Sequence, residues 1–290
     1  MPRRIMAGTP PLTTRAPVPY RSKVMPSQVA VGPGGERQIF SRFECKYYLP
    51  DELLEPIRVH IAPFTRPDVY AADEDHAYTI CSLYLDNPDL QIYRMSAQGL
   101  RSRFKLRMRY YDEHGPVFCE IKRRNDDVIR KTRTRTTRDE ASDILRLALG
   151  QGADIDVPDT GEFGMMTSRL GCGPVLRVKY RREAYESVAE DSVRITFDSQ
   201  LEQAVTVSDQ LRLAGPFHDI PTRGVILEIK FTDRFPSWIH SLIDRFELQR
   251  VSVPKYLLCM EGAVTEGHYL PANRRDFEAL VQMRAYSGRA

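Results

Sequence analysis

The chain has 290 residues, 42% of them hydrophobic and 28% charged, with a net charge of +3. That length buries a core in one large domain or two small ones. No apolar run approaches the ~20 residues that cross a bilayer, and the N-terminus has no apolar segment of a secretory signal, so the chain reads as cytoplasmic. The five cysteines are odd in number and show no CxxC spacing. They read as buried thiols, not as disulfides or a zinc site.

Residues 1–38 are basic and rich in Pro, Gly, Ser and Thr. They read as a disordered arm. The GPGGER within it lacks the Lys-Ser/Thr of a phosphate-binding loop. IFSRFECKYYL then reads as a strand, PDELLEPIRVHIAPF as a short helix and YTICSLYLD as a strand. LQIYRMSAQG reads as a short helix or turn ending at Gly99. RFKLRMRYYDEHGPVFCEIKRR reads as a hairpin turning at Asp112–Pro116, followed by DVIRKTRTRTT as a further strand. RDEASDILRLALG is an amphipathic helix stopped by Gly150, and 151–164 reads as loop. PVLRVKYRREAYE, VRITFDSQL and VILEIKFTD are strands. PSWIHSLIDRFELQ is a helix, VPKYLLCME runs from loop into helix, and RDFEALVQMRAYS is a C-terminal helix. Residues 39–290 therefore read as one α+β domain, an antiparallel sheet with helices around it.

The charge is concentrated. Residues 101–138 hold 13 Lys/Arg against 5 Asp/Glu, which points to an anionic partner held at one place. In LRSRFKLRMRYY, Arg101, Arg103, Lys105, Arg107 and Arg109 occupy every second position, and apolar residues fill the gaps. Period two is the mark of a strand with two unlike faces. Glu44 and Lys46, Glu120 and Lys122, and Glu228 and Lys230 repeat the pattern as Glu-x-Lys in three strands. Arg194, Thr196 and Asp198 alternate with apolar residues, and Ile129, Lys131, Arg133 and Arg135 share one register. One such strand is an ordinary half-solvated sheet face. Five together, rich in Lys and Arg, predict an antiparallel β-barrel with the charged faces inward and the apolar faces outward against helices. The expected ligand is a run of phosphates, held by arginine forks and lysine ammoniums. The inward carboxylates Glu44, Glu120 and Glu228 are expected to hold a divalent cation, Mn²⁺ or Mg²⁺.

These segments resemble VTC domains, the catalytic domains of vacuolar transporter chaperone polyphosphate polymerases, within the triphosphate tunnel metalloenzyme (CYTH-like) superfamily. SRFECKYYL, SLYLD, RFKLRMRYY, VFCEIKRR, VKYRREAY, VRITFD, VILEIKF and VPKY fall in the family's order, over about residues 39–262. The resemblance implies a tunnel that binds ATP and a growing polyphosphate chain. It places Lys46, Arg107, Arg109, Lys122, Arg182, Arg194 and Lys255 on phosphate and Glu228 on the metal. Tyr180 comes with the Tyr-x-Arg motif, and Lys105 and Lys230 are added as further ligand contacts. Pro254 stands where the family has serine before the Lys-Tyr pair, which leaves Lys255 in place and removes the hydroxyl.

In LRVKYRR simple alternation instead turns Arg177, Lys179 and Arg181 to the polar face, against the family's Tyr180 and Arg182. A bulge would reconcile the two. The expected activity is metal-assisted transfer of the γ-phosphate of ATP to polyphosphate. Hydrolysis of triphosphate and binding without turnover are the rivals. Inserted glutamates argue against nucleic acid as the partner. The histidines show no metal or catalytic spacing and receive no role.

Overall fold

Strict alternation of apolar and charged residues dictates strands with one face for a core and one for charge, and the computed structural model has this arrangement. It describes residues 30–31, 37–38, 42–70, 76–126, 128–151, 161–189, 193–232 and 235–286. Residues up to Ile39 form a unit by themselves, in which β1 (Ala30–Val31) pairs antiparallel with β2 (Arg37–Gln38). The rest of the expected arm, 1–29 and 32–36, lies outside the described residues.

The second unit, Phe40–Ala290, carries the large sheet. Its strands are β3 (Arg42–Leu49), β4 (Thr65–Pro67), β5 (Ala77–Asp86), β6 (Ser102–Tyr110), β7 (Val117–Asn125), β8 (Val128–Thr136), β9 (Gly173–Ser187), β10 (Arg194–Val205), β11 (His218–Asp219) and β12 (Val225–Thr232). They run antiparallel in the order β3-β12-β10-β9-β5-β6-β7-β8, with β4 added to β9 and β11 to β10. Seven helices accompany them among the described residues: α1 (Leu54–Ile61), α2 (Gln91–Ala97), α3 (Arg138–Ala148), α4 (Glu162–Leu170), α5 (Ser237–Arg245), α6 (Lys255–Thr265) and α7 (Arg274–Tyr286).

The apolar faces pack outward in two clusters. Tyr47, Ile195, Phe197, Leu227 and Ile229 bury against Ile57 and Ile61 of α1 and Ile239 and Leu242 of α5. Leu83, Leu106, Met108 and Ile121 belong to the larger cluster, with Tyr93 of α2, Ile144 of α3 and Tyr256 of α6. Each buried side chain of this size contributes about 1.5–3 kcal/mol. All five cysteines are buried free thiols, as their apolar settings predict.

Local signals set the helix ends. Thr137 and Glu140 form a reciprocal capping box at the start of α3, and Gly150 follows its end at φ 71°. Helix α4 was not foreseen. Residues 161–164 read as the end of a Gly/Asp/Pro-rich loop, yet α4 begins at Glu162, buries Phe163 and Thr167, and stops at left-handed Gly171. Its one Gly and short apolar stripe make it weak on propensity, and packing carries it. The remainder of that expected loop, 152–160, lies outside the described residues.

Asp86, the last residue of β5, organises a junction. Its buried carboxylate accepts hydrogen bonds from the backbone N–H groups of Asn87, Ile92 and Tyr93 at 2.9, 2.9 and 2.8 Å, and from the Tyr256 hydroxyl at 2.8 Å. It therefore holds the start of α2 and the start of α6 together. Tyr256 also stacks on Tyr84, with ring centroids 4.8 Å apart. Tyr256→Phe is expected to cost about 1.5–3 kcal/mol, the worth of a hydrogen bond to a charged group. Urea unfolding monitored by circular dichroism checks this, and an unchanged midpoint would remove Asp86–Tyr256 as a pin.

The closed barrel expected from the charged faces is not what the backbone forms. The strand path ends at β3 and at β8, and among the described residues no ladder joins them. The sheet is rolled instead, so that Lys122 on β7 reaches Glu44 on β3 at 2.9 Å. Alternation sets which face each strand turns inward, and leaves the pairing of the two edge strands undetermined. Here the Lys122–Glu44 ion pair bridges β7 and β3 where no backbone ladder is seen among the described residues.

Candidate active site

Strand register turns the Glu-x-Lys repeats into complementary pairs. Glu228 of β12 stands opposite Lys46 of β3, and Lys230 stands opposite Glu44. On the other flank of β12, Glu228 faces Thr196, and Asp198 of β10 faces Arg182 of β9. Further round the roll, Glu120 of β7 lies between Arg107 of β6 and Arg133 of β8, while Lys122 lies between Lys105 and Lys131.

The result is two buried carboxylates, each ringed by four cations. Glu228, 4% exposed, contacts Lys46 through a short hydrogen bond, Lys230 at 2.9 Å, Lys255 at 3.0 Å and Arg182 at 3.5 Å. Burial would raise its pKa, but Lys230, Lys255, Lys46 and Arg182 outweigh it and hold the group well below the usual carboxylate range. Glu120, with no exposed surface, meets Arg107 at 2.7 Å, Arg109 at 3.9 Å, Lys131 at 2.6 Å and Arg133 at 3.5 Å. Burial again opposes its ionisation, and Arg109, Arg107 and Lys131 override it.

Asp198 joins the first cage. Its oxygens take the Arg182 guanidinium in a bidentate pair at 2.6 and 2.7 Å, and Lys255 Nζ at 2.6 Å. Lys255 is the first residue of α6, and Pro254 before it accepts the N–H of Leu257 at 2.8 Å. The Tyr256–Asp86 pin thus aims the neighbouring ammonium into the sheet. Tyr180 supplies an aromatic floor, its centroid 5.3 Å from the Arg182 guanidinium carbon and 4.9 Å from Lys255 Nζ.

The conflict in β9 resolves without a bulge in the disputed stretch: β9 pairs with β5 continuously from Leu176 to Glu183, and its irregularity against β5 lies earlier, at Pro174–Leu176. Tyr180 and Arg182 share the inward face, as the resemblance implies. Arg177 points the other way, donating to the carbonyls of Arg212 and Ala214 at 3.1 and 3.4 Å and lying over Phe217. Lys179 pairs with Glu202 at 3.0 Å on that same outer side. Both faces of β9 carry charge, so alternation alone did not discriminate. Arg194 sits further along the inward face, held by Glu186 at 3.0 Å and by a short contact to Asp68. Asp68 was missed, since nothing in its local sequence sets it apart. Lys131 and Arg133 were legible as a row but not singled out.

Every sequence-predicted site residue lies on this inward face: Glu44, Lys46, Lys105, Arg107, Arg109, Glu120, Lys122, Tyr180, Arg182, Arg194, Glu228 and Lys230 from the strands, with Lys255 from α6. Lys105 differs from the rest. Among the described residues it makes no ion pair. Burial, and then Lys122, Lys46 and Arg107, depress its pKa well below the usual lysine value. Burial also lowers Lys230 to about 8, against the pull of Glu228. It lowers Lys131, still 39% exposed at its side chain, to about 7.

Two pH effects follow. These lysines bind protons less readily folded than unfolded, where the value is about 10.4, so their contribution makes the protein more stable as pH rises from about 7 to 10. Polyanion affinity is expected to fall over the lower part of the same window, pH 7 to 9, as they discharge. Thermal unfolding and calorimetric titration with tripolyphosphate check the two signs. Lys105→Met is expected to raise the melting temperature and weaken tripolyphosphate binding at least tenfold. A variant that is both less stable and equally avid would rule out an unpaired ligand-facing cation.

The VTC domain family model matches residues 41–264. The chain belongs to the VTC domain family. A curated relative, vacuolar transporter chaperone complex subunit 4 of Schizosaccharomyces pombe, is 23% identical over 282 residues, covering 80% of this chain. The chain spans 38% of the length of that relative. Among solved structures, the Hippeastrum protein HpAC1, described as having a dominant triphosphatase activity, aligns at TM-score 0.45 and 12% identity over 76% of this chain and 95% of its own. The PH1819 protein of Pyrococcus horikoshii aligns at TM-score 0.36 and 18% identity over 71% of this chain and 86% of its own. The VTC match takes in every strand from β3 to β12 and Lys255 of α6, and so the whole inward face.

Proposed function

We propose that this VTC domain is an ATP-dependent polyphosphate polymerase, extending a phosphate chain along its inward face. One observation carries the reading: the face holds a surplus of cations arranged around two buried carboxylates, with Lys105 paired to no carboxylate among the described residues. A linear polyanion satisfies such a face along its length.

In this reading Lys46, Arg107, Arg109, Lys122, Arg182, Arg194 and Lys255 bind phosphoryl oxygens of ATP and of the chain. The attacking oxygen is the terminal phosphate of the polymer. It forms a bond to the γ-phosphorus as the bond from that phosphorus to the β–γ bridging oxygen breaks, and the electron pair leaves with ADP. The nucleophile is already anionic, so no general base is needed. Catalysis is alignment and charge neutralisation.

Mn²⁺ or Mg²⁺ fits the donor set on β3 and β12. Lys46 Nζ lies 3.1 Å from Glu44 Oε1 and in contact with Glu228 Oε1, so two carboxylates already share one cation, and hard oxygen donors suit these ions. Bound there, the metal would neutralise charge on the transferring phosphoryl group. Glu120 has both oxygens engaged by cations and fits a fixed counter-charge better than a ligand.

The test is incubation of the protein with ATP, Mn²⁺ or Mg²⁺ and a short polyphosphate primer, with products resolved on a gel. Long chains and ADP are expected. Free phosphate without chains would make the protein a triphosphatase. Tight polyphosphate binding without turnover would make it a binding protein.

A further inference from the structure

At the C-terminal end of α6, beyond the cations of the inward face, three side chains converge that have no part in the reading above. His218, Glu266 and His268 place ligand-type atoms within 4.8 Å of one another. The two imidazoles stack with centroids 3.7 Å apart and planes 27° from parallel. His268 Nδ1 lies 3.3 Å from Glu266 Oε2.

The backbone fixes all three. His218 belongs to β11 and stands in register with Gln203 of β10. Glu266 caps α6, its N–H bonded to the Gly262 carbonyl at 2.9 Å. The chain then turns back, and the N–H groups of His268 and Tyr269 both bond the Ala263 carbonyl, at 2.8 and 3.1 Å. The three Cα positions are thus held by backbone hydrogen bonds, and side-chain rotation suffices to aim the ring nitrogens at one ion.

A buried group stands behind the cluster. Gln203 has no exposed surface. Its Nε2 lies 3.1 Å from His268 Nδ1, and its Oε1 has no hydrogen-bond partner. The two ends of a carboxamide exchange by a half-turn. With its oxygen toward the ring, Gln203 accepts from Nδ1–H and leaves the Nε2 lone pair of His268 free. Metal-bound histidines are commonly oriented in this way through the second ring nitrogen.

We propose that His218, Glu266 and His268 form a binding site for one transition-metal ion, Zn²⁺ foremost, separate from the cation expected between Glu44 and Glu228. Imidazole ligands select Zn²⁺, Co²⁺ or Ni²⁺ over Mg²⁺, and three protein ligands leave a position for water. An ion there joins β11 to the end of α6. That helix, 11 residues and about 16 Å long, carries Lys255 at its other end, so the metal braces the element that delivers Lys255.

The experiment uses the full chain in phosphate-free buffer, titrated with Zn²⁺ by calorimetry and with Co²⁺ while visible absorption is read. One saturable site is expected, with a Co²⁺ band. His268→Ala and His218→Ala should each weaken it about tenfold or more, while both variants keep the circular dichroism of the parent. Glu228→Gln should leave the Co²⁺ band unchanged. Absence of saturable binding to the parent chain, or equal binding by both histidine variants, overturns the proposal. A band lost in Glu228→Gln but kept in both histidine variants overturns it as well, by moving the ion to the inward face. If one histidine variant misfolds, the other still decides.

Discussion

Glu228→Gln is expected to slow ATP-dependent chain growth by about 100-fold or more, the scale on which one preorganised electrostatic partner acts. Glutamine keeps the shape and a hydrogen-bond acceptor and removes the charge shared by Lys46, Lys230, Lys255 and Arg182. Two consequences separate this site from a generic structural ion pair. The empty variant loses about 3–5 kcal/mol, because four cations are left around a neutral group. Polyphosphate then supplies the missing negative charge, so the variant should bind it at least as tightly as the parent does and gain more in melting temperature from it. Turnover on gels and melting curves with and without polyphosphate read both effects. A variant that loses binding and turnover together would count against Glu228 as a counter-ion that yields to the substrate.

Asp198→Ala is expected to damage folding of the inward face as severely as Glu228→Gln does. Asp198 is buried, receives both arms of Arg182 and contacts Lys255. Burial disfavours its charge, and Arg182 and Lys255 more than restore it, lowering its pKa. Removing it strands a guanidinium and an ammonium beside Glu228, at a cost of about 3–5 kcal/mol. Because its folded pKa lies below the unfolded value, near 3.9, the parent keeps this contribution above that value and loses it as pH falls below it. The variant should therefore be the flatter of the two in a plot of stability against pH from 5 down to 2. Parallel curves would mean that Asp198 does not titrate with folding.

The inward face was legible because β-strands repeat every two residues and this chain spends its charged residues at that period. ECK, EIK and EIK marked three strands, and RSRFKLRMR a fourth. Their pairing was not legible. Nothing in the local sequence says that Glu228 will stand opposite Lys46, since register is set by the whole sheet. The face of β9 was ambiguous because Arg177 and Lys179 find partners on the outer side, in Phe217 and Glu202. The predicted barrel failed at one joint, between β3 and β8, because periodicity marks the faces of strands and carries no information about which edges pair. Asp68 and the Asp86–Tyr256 pin depend on contacts between distant segments, and only the folded chain displays them.

The neighbour relation of β3 and β12 also sets the order in which the protein can be made. Lys46 and Glu228 are 182 residues apart in sequence, with strands β4 to β11 all lying between them along the chain, although β3 and β12 are neighbours in the sheet. At 5–20 residues per second the ribosome needs roughly 10–40 s to cover that distance. For that interval β3 waits with an unpaired edge and two cationic strand faces still forming downstream. Non-local pairing of this kind slows folding, and an unpaired strand is open to wrong partners. The alternating charges of ECK keep one side of the waiting strand soluble. The first cage therefore closes only when β12 arrives: a nascent chain stalled before Glu228 has Lys46 beside Glu44 and Arg182 beside Asp198, and still lacks the central carboxylate together with Lys230 and Lys255.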